Sequence, residues 1–371
     1  MIVFCHLLND TSGSPVVLKQ AIRALRDAGG DGILFVGSQG RGLLETAGLP
    51  IRRYWYRRSR FRIVTLFSFF ASQLLLYRAL SRASLPHGAL IYANTLLPFG
   101  AMLWGRRHGH PVLCHVHEVS ISPRPLRSFL LFVASRTCNQ TIHVSRDNLD
   151  RLPVPGVAAK IIPNPVAPDL VAQGADTPYL PRRSGRFDVL MLASPRDFKG
   201  VPEFLALART FADREEVGFT LVLNADRNEA DRYVPHGQRP ANLTVHPRTD
   251  RPGDFYAKAD VILNLSRPDE WIETFGLTLV EGMAFGLPVI APPIGGPVEI
   301  VQGAPEEVGY ICDGRDTDRL AALLDSLIAD PKEAHRLSEA ARRRAASYSQ
   351  QHFARQLATL TKTLDQGRAG P

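Results

Sequence analysis

The chain has 371 residues, 45% hydrophobic and 22% charged. That is ordinary globular composition, which excludes a disordered chain, a collagen and a multi-span membrane protein; at about 150 residues per domain the length predicts two domains. The net charge of +8 is uneven, with 20 Lys and Arg against 7 Asp and Glu in residues 1–168 and 24 against 29 in residues 169–371, so the two halves are expected to face different partners. Nucleic acid, an anionic membrane or an acidic substrate would suit the basic one.

Met1 leads straight into an apolar run without the basic and long apolar regions of a signal peptide, and residues 2–8 read as a first buried strand. Further strand-like runs follow at 32–36, 89–93, 112–117, 141–144 and 160–162, with helical patterns between them, as at 16–27 and 124–137. Pro163, Pro165, Pro168, Pro178 and Pro181 then mark a linker. The alternation restarts with strands at 187–192, 220–223, 243–246, 261–265, 289–291 and 310–312, and 331–366 reads as helical throughout. Strict β–α–β alternation predicts an α/β protein with two Rossmann-like domains built on parallel sheets, whose ligands bind at the carboxyl ends of the strands.

Residues 63–77 are largely apolar, but fifteen helical residues span only about 22 Å. Thr65, Ser68 and Ser72 give the stretch a polar stripe, so a spanning helix is not expected. Arg52, Arg53, Trp55, Arg57, Arg58, Arg60 and Arg62 precede it, interleaved with Tyr54, Tyr56 and Phe61. This composition suits contact with a membrane interface or an anionic lipid; the alternative is a solvated loop followed by a core helix.

Cys5, Cys114, Cys138 and Cys312 form no C-x-x-C pair, which excludes a zinc ribbon and fits a reducing compartment; the N-x-T matches at Asn9, Asn139 and Asn242 then carry no weight. There is no H-E-x-x-H and no P-loop, and the glycines from Gly37 to Gly42 fail the dinucleotide-loop spacing. Asp316 and Asp318 precede an amphipathic helix and read as its N-cap region rather than as metal ligands. His6, His115 and His143 sit in or beside buried strands and read as core or cleft-edge residues.

The stretch 266–282 carries most chemistry. Glu273 and Glu281 lie eight positions apart and would not stack on one helix. Glu273 is therefore placed in a loop after the 261–265 strand and Glu281 inside the following helix. Gly276 at the helix start would leave the amides of Phe275, Gly276 and Leu277 facing a phosphate. Two carboxylates flanking a diphosphate site match the ribose, diphosphate and hexose of a nucleotide sugar; a helix with an acidic flank is the alternative.

The stretch resembles the E-x7-E motif of retaining GT-B glycosyltransferases of the family 4 type. Other pieces resemble that family in its order: Ser12-Gly13-Ser14, Val116-His117-Glu118, His143-Val144-Ser145, Ile162-Pro163-Asn164-Pro165, Lys199-Gly200, Gly286-Leu287-Pro288-Val289, and Gly295-Gly296 followed by Glu299-Ile300-Val301. The resemblance implies an acceptor-binding domain over 1–168, a nucleotide-sugar domain over 169–347, facing it across a cleft, and a final helix over 348–371 that crosses back to the first domain. It implies that Glu281 binds ribose, Glu273 the donor sugar, the amides of Phe275, Gly276 and Leu277 sugar and diphosphate, and Lys199 the diphosphate. His117 would line the catalytic cleft and Gly13 would allow close approach. Where the family has a glycine and an arginine beside the phosphate, this chain has Ala193-Ser194; either Arg196 reaches the phosphates from a rearranged loop or Ser194 donates a weaker bond. The expected activity is retaining hexosyl transfer, without metal or other cofactor, to a glycan or lipid-linked acceptor in surface glycan biosynthesis, in the cytoplasm or on the inner face of the plasma membrane. A sugar-nucleotide epimerase would share the fold; a nucleic-acid-binding protein would explain the basic half but not the paired glutamates.

Overall fold

The structure, a computed structural model, describes residues 1–366 except Arg41, Ser120 and Ala304, with side chains to residue 364. Arg41 of the 37–42 glycine run and residues 367–371 of the expected last segment thus lie outside the described residues. The chain forms two compact units, Met1–Pro165 together with the segment from Gln350, and Val166–Ser349. The changes of unit come at 165/166 and 349/350, two or three residues from the expected 168/169 and 347/348.

The first unit runs β1 (Ile2–His6), α1 (Gly13–Asp27), β2 (Gly32–Gly37), β3 (Ile51–Tyr54), α2 (Arg62–Ser81), β4 (Leu90–Asn94) and α3 (Phe99–Arg107). It continues with β5 (Val112–Val116), α4 (Arg124–Thr137), β6 (Gln140–His143), α5 (Arg146–Arg151) and β7 (Ala158–Ile161). Its strands pair in parallel in the order β3-β2-β1-β4-β5-β6-β7. Period-two alternation divides each strand between two cores. Val3, Cys5, Phe35, Ile91 and Cys114 pack under α2, α3 and α4, while Phe4, Leu34, Tyr92 and Leu113 pack under α1.

The second unit runs α6 (Pro168–Ala175), β8 (Phe187–Ala193), α7 (Val201–Thr210), β9 (Val217–Leu223), α8 (Arg227–Tyr233), β10 (Leu243–His246) and α9 (Gly253–Tyr256). It continues with β11 (Val261–Leu263), α10 (Leu277–Ala284), β12 (Val289–Ala291), α11 (Gly296–Gln302), β13 (Gly309–Ile311), α12 (Thr317–Ala329) and α13 (Pro331–Ala346). The parallel order is β10-β9-β8-β11-β12-β13. The order reverses at β1/β4 in the first sheet and β8/β11 in the second, and these two places are the ligand crevices of such sheets. Finally, α14 (Gln350–Gln366) returns to the first unit. It buries Phe353, Leu357 and Leu360 against the core under α1, and Gln350 Nε2 donates to the Gln20 carbonyl at 2.9 Å.

The expected continuous helix over 331–366 is broken at 347–349, where Ser349 bridges Val166 as the chain leaves the second unit. The proline-rich stretch is not all linker: α6 begins at Pro168, a position where the missing amide proton costs nothing. The arginine–aromatic stretch contains an unforeseen strand, β3, with Tyr54 buried and Arg52 and Arg53 outward. The apolar helix α2 has 20 residues, not 15.

Leu357 is fully buried, so Leu357→Ala should destabilise the first unit by on the order of 2–4 kcal/mol. Urea unfolding followed by a probe in each unit should show the first unit's transition moving and the second unit's unchanged.

Candidate functional site

In the second unit the chain leaves β8 through a short 3-10 turn, Asp197–Lys199, and enters α7 through Gly200. Gly200 has φ of +80°, and a Cβ there would overlap the Leu265 carbonyl; the turn therefore lies directly against the loop that follows β11. That loop, 264–276, is held from both sides. The Arg267 amide donates to the Phe198 carbonyl at 2.9 Å, and the Gly296 amide to the Glu273 carbonyl at 3.0 Å. Side chains at Gly295 and Gly296 would overlap the carbonyls of Glu273 and Thr274.

This backbone contact brings Lys199 to Glu273. Lys199 Nζ lies 2.7 Å from Glu273 Oε2 and 4.7 Å above the centre of the Trp271 ring. Trp271 in turn stacks on Phe198 at 5.1 Å. Burial opposes the Glu273 charge, but Lys199, with Asn264 and Ser266, outweighs it and holds the carboxyl below its ordinary value. A charged lysine beside a charged carboxylate offers one group to an anion and one to sugar hydroxyls.

Gly276 has φ of +101° and caps α10, with Leu279 and Pro297 close to where a Cβ would stand. The amides of Phe275, Gly276 and Leu277 donate to no acceptor among the described residues. Phe275 is buried, its ring edge-on to Tyr348 at 5.5 Å. One turn into α10, Glu281 accepts a 2.7 Å hydrogen bond from the Tyr256 hydroxyl. Burial pushes its carboxyl up from 4.5 to about 7 against that bond. Arg196 does not join the group: it is exposed, and its guanidinium donates to the neighbouring Pro195 carbonyl at 3.0 Å. Asp316 accepts from the Arg319 amide as the N-cap of α12.

In the first unit, Gly13 opens α1 in open space, with no atom within 4 Å of where a Cβ would stand. Asn94, at the end of β4, joins the neighbourhood together. Its Nδ2 donates to the Ser14 carbonyl at 3.1 Å, its carbonyl meets His6 Nδ1 at 3.1 Å, and its Oδ1 meets His117 Nε2 at 3.0 Å. The His117 and His115 rings lie 4.1 Å apart. Burial, then His6 and His143, pushes His117 down to about 3, so it is neutral at physiological pH. Glu118 accepts from the amides of Leu96 and His117. Thr95, between Asn94 and Leu96, has φ of +80°, a strained conformation at the end of a central strand. Arg52 and Arg53 lie on β3, where Arg53 pairs with Glu45; Trp55, Arg57, Arg58, Arg60 and Arg62 follow as exposed residues, well separated in the chain from the strand ends just described.

Asn94, Thr95, Tyr256 and Trp271 were not foreseen from the sequence. The only available signal was the position of Asn94 and Thr95 at the end of a strand beside the order reversal.

A family profile described as "Glycosyl transferases group 1" matches residues 178–344. The chain is 38% identical over 120 residues to probable sucrose-phosphate synthase 5 of Oryza sativa subsp. japonica. It is 35% identical over 105 residues to the D-inositol 3-phosphate glycosyltransferase of Rhodococcus opacus (strain B4). These matches take in 32% and 28% of the chain but only 11% and 22% of the relatives. The structure of Anabaena Alr3699/HepE in complex with UDP is similar over 98% of this chain and 99% of that one, with a TM-score of 0.77 at 19% identity. Sucrose-phosphate synthase from Thermosynechococcus elongatus gives 0.74 at 20% identity, over 98% of this chain and 99% of that one. Two parallel-sheet units in this order make a two-domain GT-B fold. The match to the glycosyl transferases group 1 is carried by residues 178–344, which lie within the second unit.

Glu281 favours its protonated form in the folded chain, so its contribution to stability is present below pH 4.5 and is lost as pH rises toward about 7. Wild type should therefore lose stability relative to Glu281→Gln across that range, with the difference level above it, as read by denaturant titration at each pH. The glycines should separate as well. Gly200→Ala, at positive φ and against Leu265, should cost upward of about 2 kcal/mol, whereas Gly13→Ala should stay within about 0.5 kcal/mol; thermal melts of the two variants check this.

Proposed function

We propose that the chain is a retaining, metal-independent glycosyltransferase that moves a hexose from a nucleotide sugar to a glycan or lipid-linked acceptor, on the cytoplasmic face of a membrane, in surface glycan assembly. The observation that carries the reading is the Lys199–Glu273 pair, 2.7 Å apart, beside the unbonded amides at the start of α10. The anion site of a helix N-terminus and the cation of Lys199 suit a diphosphate. Glu273 suits the hydroxyls of the transferred sugar and Glu281 the ribose diol. UDP is the first nucleotide to test because Anabaena Alr3699/HepE has been solved with UDP and with UDP-glucose.

In the proposed step the bond between the anomeric carbon and the diphosphate oxygen breaks through an oxocarbenium-like state. The acceptor hydroxyl oxygen bonds to that carbon from the same face, and its proton passes to the departing diphosphate. Lys199 and the amides of Phe275, Gly276 and Leu277 stabilise the negative charge that grows on the leaving group. Glu273 is already engaged by Lys199, which suits a hydroxyl-binding role better than that of a covalent nucleophile. His117, neutral and fixed by Asn94, is suited to a hydrogen bond with an uncharged sugar hydroxyl; Gly13 leaves space at the start of α1. Arg196 is left out of the donor site by its exposure. No group of three His, Cys, Asp or Glu that could hold a metal occurs among the described residues, and activity should survive a chelator.

Thermal stabilisation by UDP, GDP, ADP and dTDP tests the donor reading. One nucleotide at about 100 times its Kd should add about 2.7 kcal/mol to wild type and nothing measurable to Glu281→Ala. No shift with any of the four would overturn the donor site. Because the ribose diol needs an ionised Glu281, affinity should also rise between pH 6 and pH 8.

A further inference from the structure

The helix α2 is turned inside out. Its polar residues face the core: the Ser68 hydroxyl donates to the Arg57 carbonyl at 2.6 Å, and Ser72 bonds within the helix to Phe69. Gln73 Oε1 accepts from the Gly100 amide at 3.1 Å. Gly100 admits the crossing, since a Cβ there would overlap the Gln73 carbonyl. Leu76 and Leu80, fully buried, complete the inward face. The outward face carries Ile63 (71% exposed), Phe67 (72%), Phe70 and Leu74 (52%). Neighbouring helices in the same layer add Leu103 from α3 and Phe132 from α4, both exposed. By length and composition α2 could cross a membrane, but its inward bonds make it part of the first unit's helical layer.

The charge around this face has one sign. Residues 46–117 contain ten arginines and neither Asp nor Glu, and α4 contributes three more arginines and no carboxylate. Arg57, Arg58, Arg60 and Arg62, at the leading end of α2, form no ion pair among the described residues. Arg78 and Arg82 close the other end and are exposed. Arg60 lies over the Phe61 ring and Arg136 over the Phe132 ring, at 4.7 and 5.4 Å. A second copy of this chain would bring two basic rims together, and like charges oppose that contact.

We propose that the outward face of α2, with Leu103 and Phe132 beside it, docks in the plane of an anionic bilayer. The apolar ridge sits at the level of the acyl boundary, and the arginines at its two ends lie among acidic headgroups. An apolar ridge with basic ends and no carboxylate is the pattern of an interfacial helix lying on a membrane. The inference rests on the membrane-side acceptor reading only for its purpose; the docking itself needs neither donor nor acceptor.

Flotation of the full chain tests it, with vesicles of phosphatidylcholine alone and of phosphatidylcholine mixed with phosphatidylglycerol. Wild type should float with the mixed vesicles and be released by high salt. Ile63→Ser/Phe67→Ser/Leu74→Ser, at exposed positions, should lose at least about tenfold in binding. Arg57→Gln/Arg58→Gln/Arg60→Gln/Arg62→Gln should lose the preference for phosphatidylglycerol. Melting curves show that the variants remain folded, and nucleotide stabilisation shows that the donor unit is intact. Equal flotation by all three proteins, retention of wild type through salt and alkaline washing as a spanning helix would be retained, or dimerisation through this face without vesicle binding would each overturn the proposal. Nucleotide stabilisation without flotation sinks the docking alone, while flotation without nucleotide stabilisation sinks the donor reading alone.

Discussion

The candidate site in the second unit depends on how closely backbone can approach backbone around the loop 264–276. Gly200 touches it on one side and Gly295 and Gly296 on the other, each where a Cβ would overlap a carbonyl oxygen. The loop has one turn of its own, where the Glu270 and Trp271 amides donate to the Arg267 carbonyl, and is tied to its neighbours by the amides of Arg267 and Gly296 and by the Arg267–Glu203 ion pair. With the loop so held, Glu273 meets Lys199, and the chain reaches Gly276 in the left-handed conformation that turns it into α10. Loosening any one of the three contacts would free the loop that sets Glu273 against Lys199.

Lys199 and Glu273 solve a problem of charge for each other. A lysine cation would be costly to hold partly buried and unpaired. Glu273 offsets that cost and in doing so stays ionised. Glu281 has no cation beside it, only the Tyr256 hydroxyl, and its carboxyl rises to about 7. The two glutamates of one motif are thus shifted in opposite directions, by surroundings that their spacing does not reveal. In the first unit the answer is different again. His6, His115, His117 and His143 are buried near strand ends with amide, hydroxyl and carbonyl partners, and burial holds all four below the ordinary histidine value. The basic unit therefore carries its positive charge on surface arginines and holds these strand-end histidines toward the neutral form.

Most of the fold was legible because its strands are buried on both faces and read as short apolar runs between helical periods. The strand β3 was not, because Ile51-Arg52-Arg53-Tyr54 carries only two inward positions and owes its conformation to pairing with β2. The break at 347–349 has no proline or glycine to announce it; it follows from the bridge between Val166 and Ser349, which are far apart in sequence. The placement of Glu273 in a loop and Glu281 in a helix followed from local pattern alone. Trp271 and Tyr256 did not, since each meets its partner only through the tertiary fold. Arg196, expected as a substitute for the family's arginine, is exposed, and its guanidinium donates to the Pro195 carbonyl rather than to a residue of the loop 264–276.

The helix α2 shows why hydrophobic periodicity can give the wrong orientation. A polar stripe on an apolar helix is normally assigned to solvent, and Thr65, Ser68 and Ser72 invite that reading. Small hydroxyl and amide side chains can instead satisfy backbone groups of adjacent elements at close range, as Ser68 does for Arg57 and Gln73 for Gly100. The polar stripe then joins Phe69, Leu76 and Leu80 in the attachment face, and Ile63, Phe67 and Leu74 are left outside. Such an arrangement exposes hydrophobic area that a chain surrounded by water on all sides gains nothing by displaying. Its position amid a long stretch of sequence with arginines and no carboxylate makes the exposure coherent, because the same surface that is unfavourable in water is matched in both polarity and charge by an anionic interface.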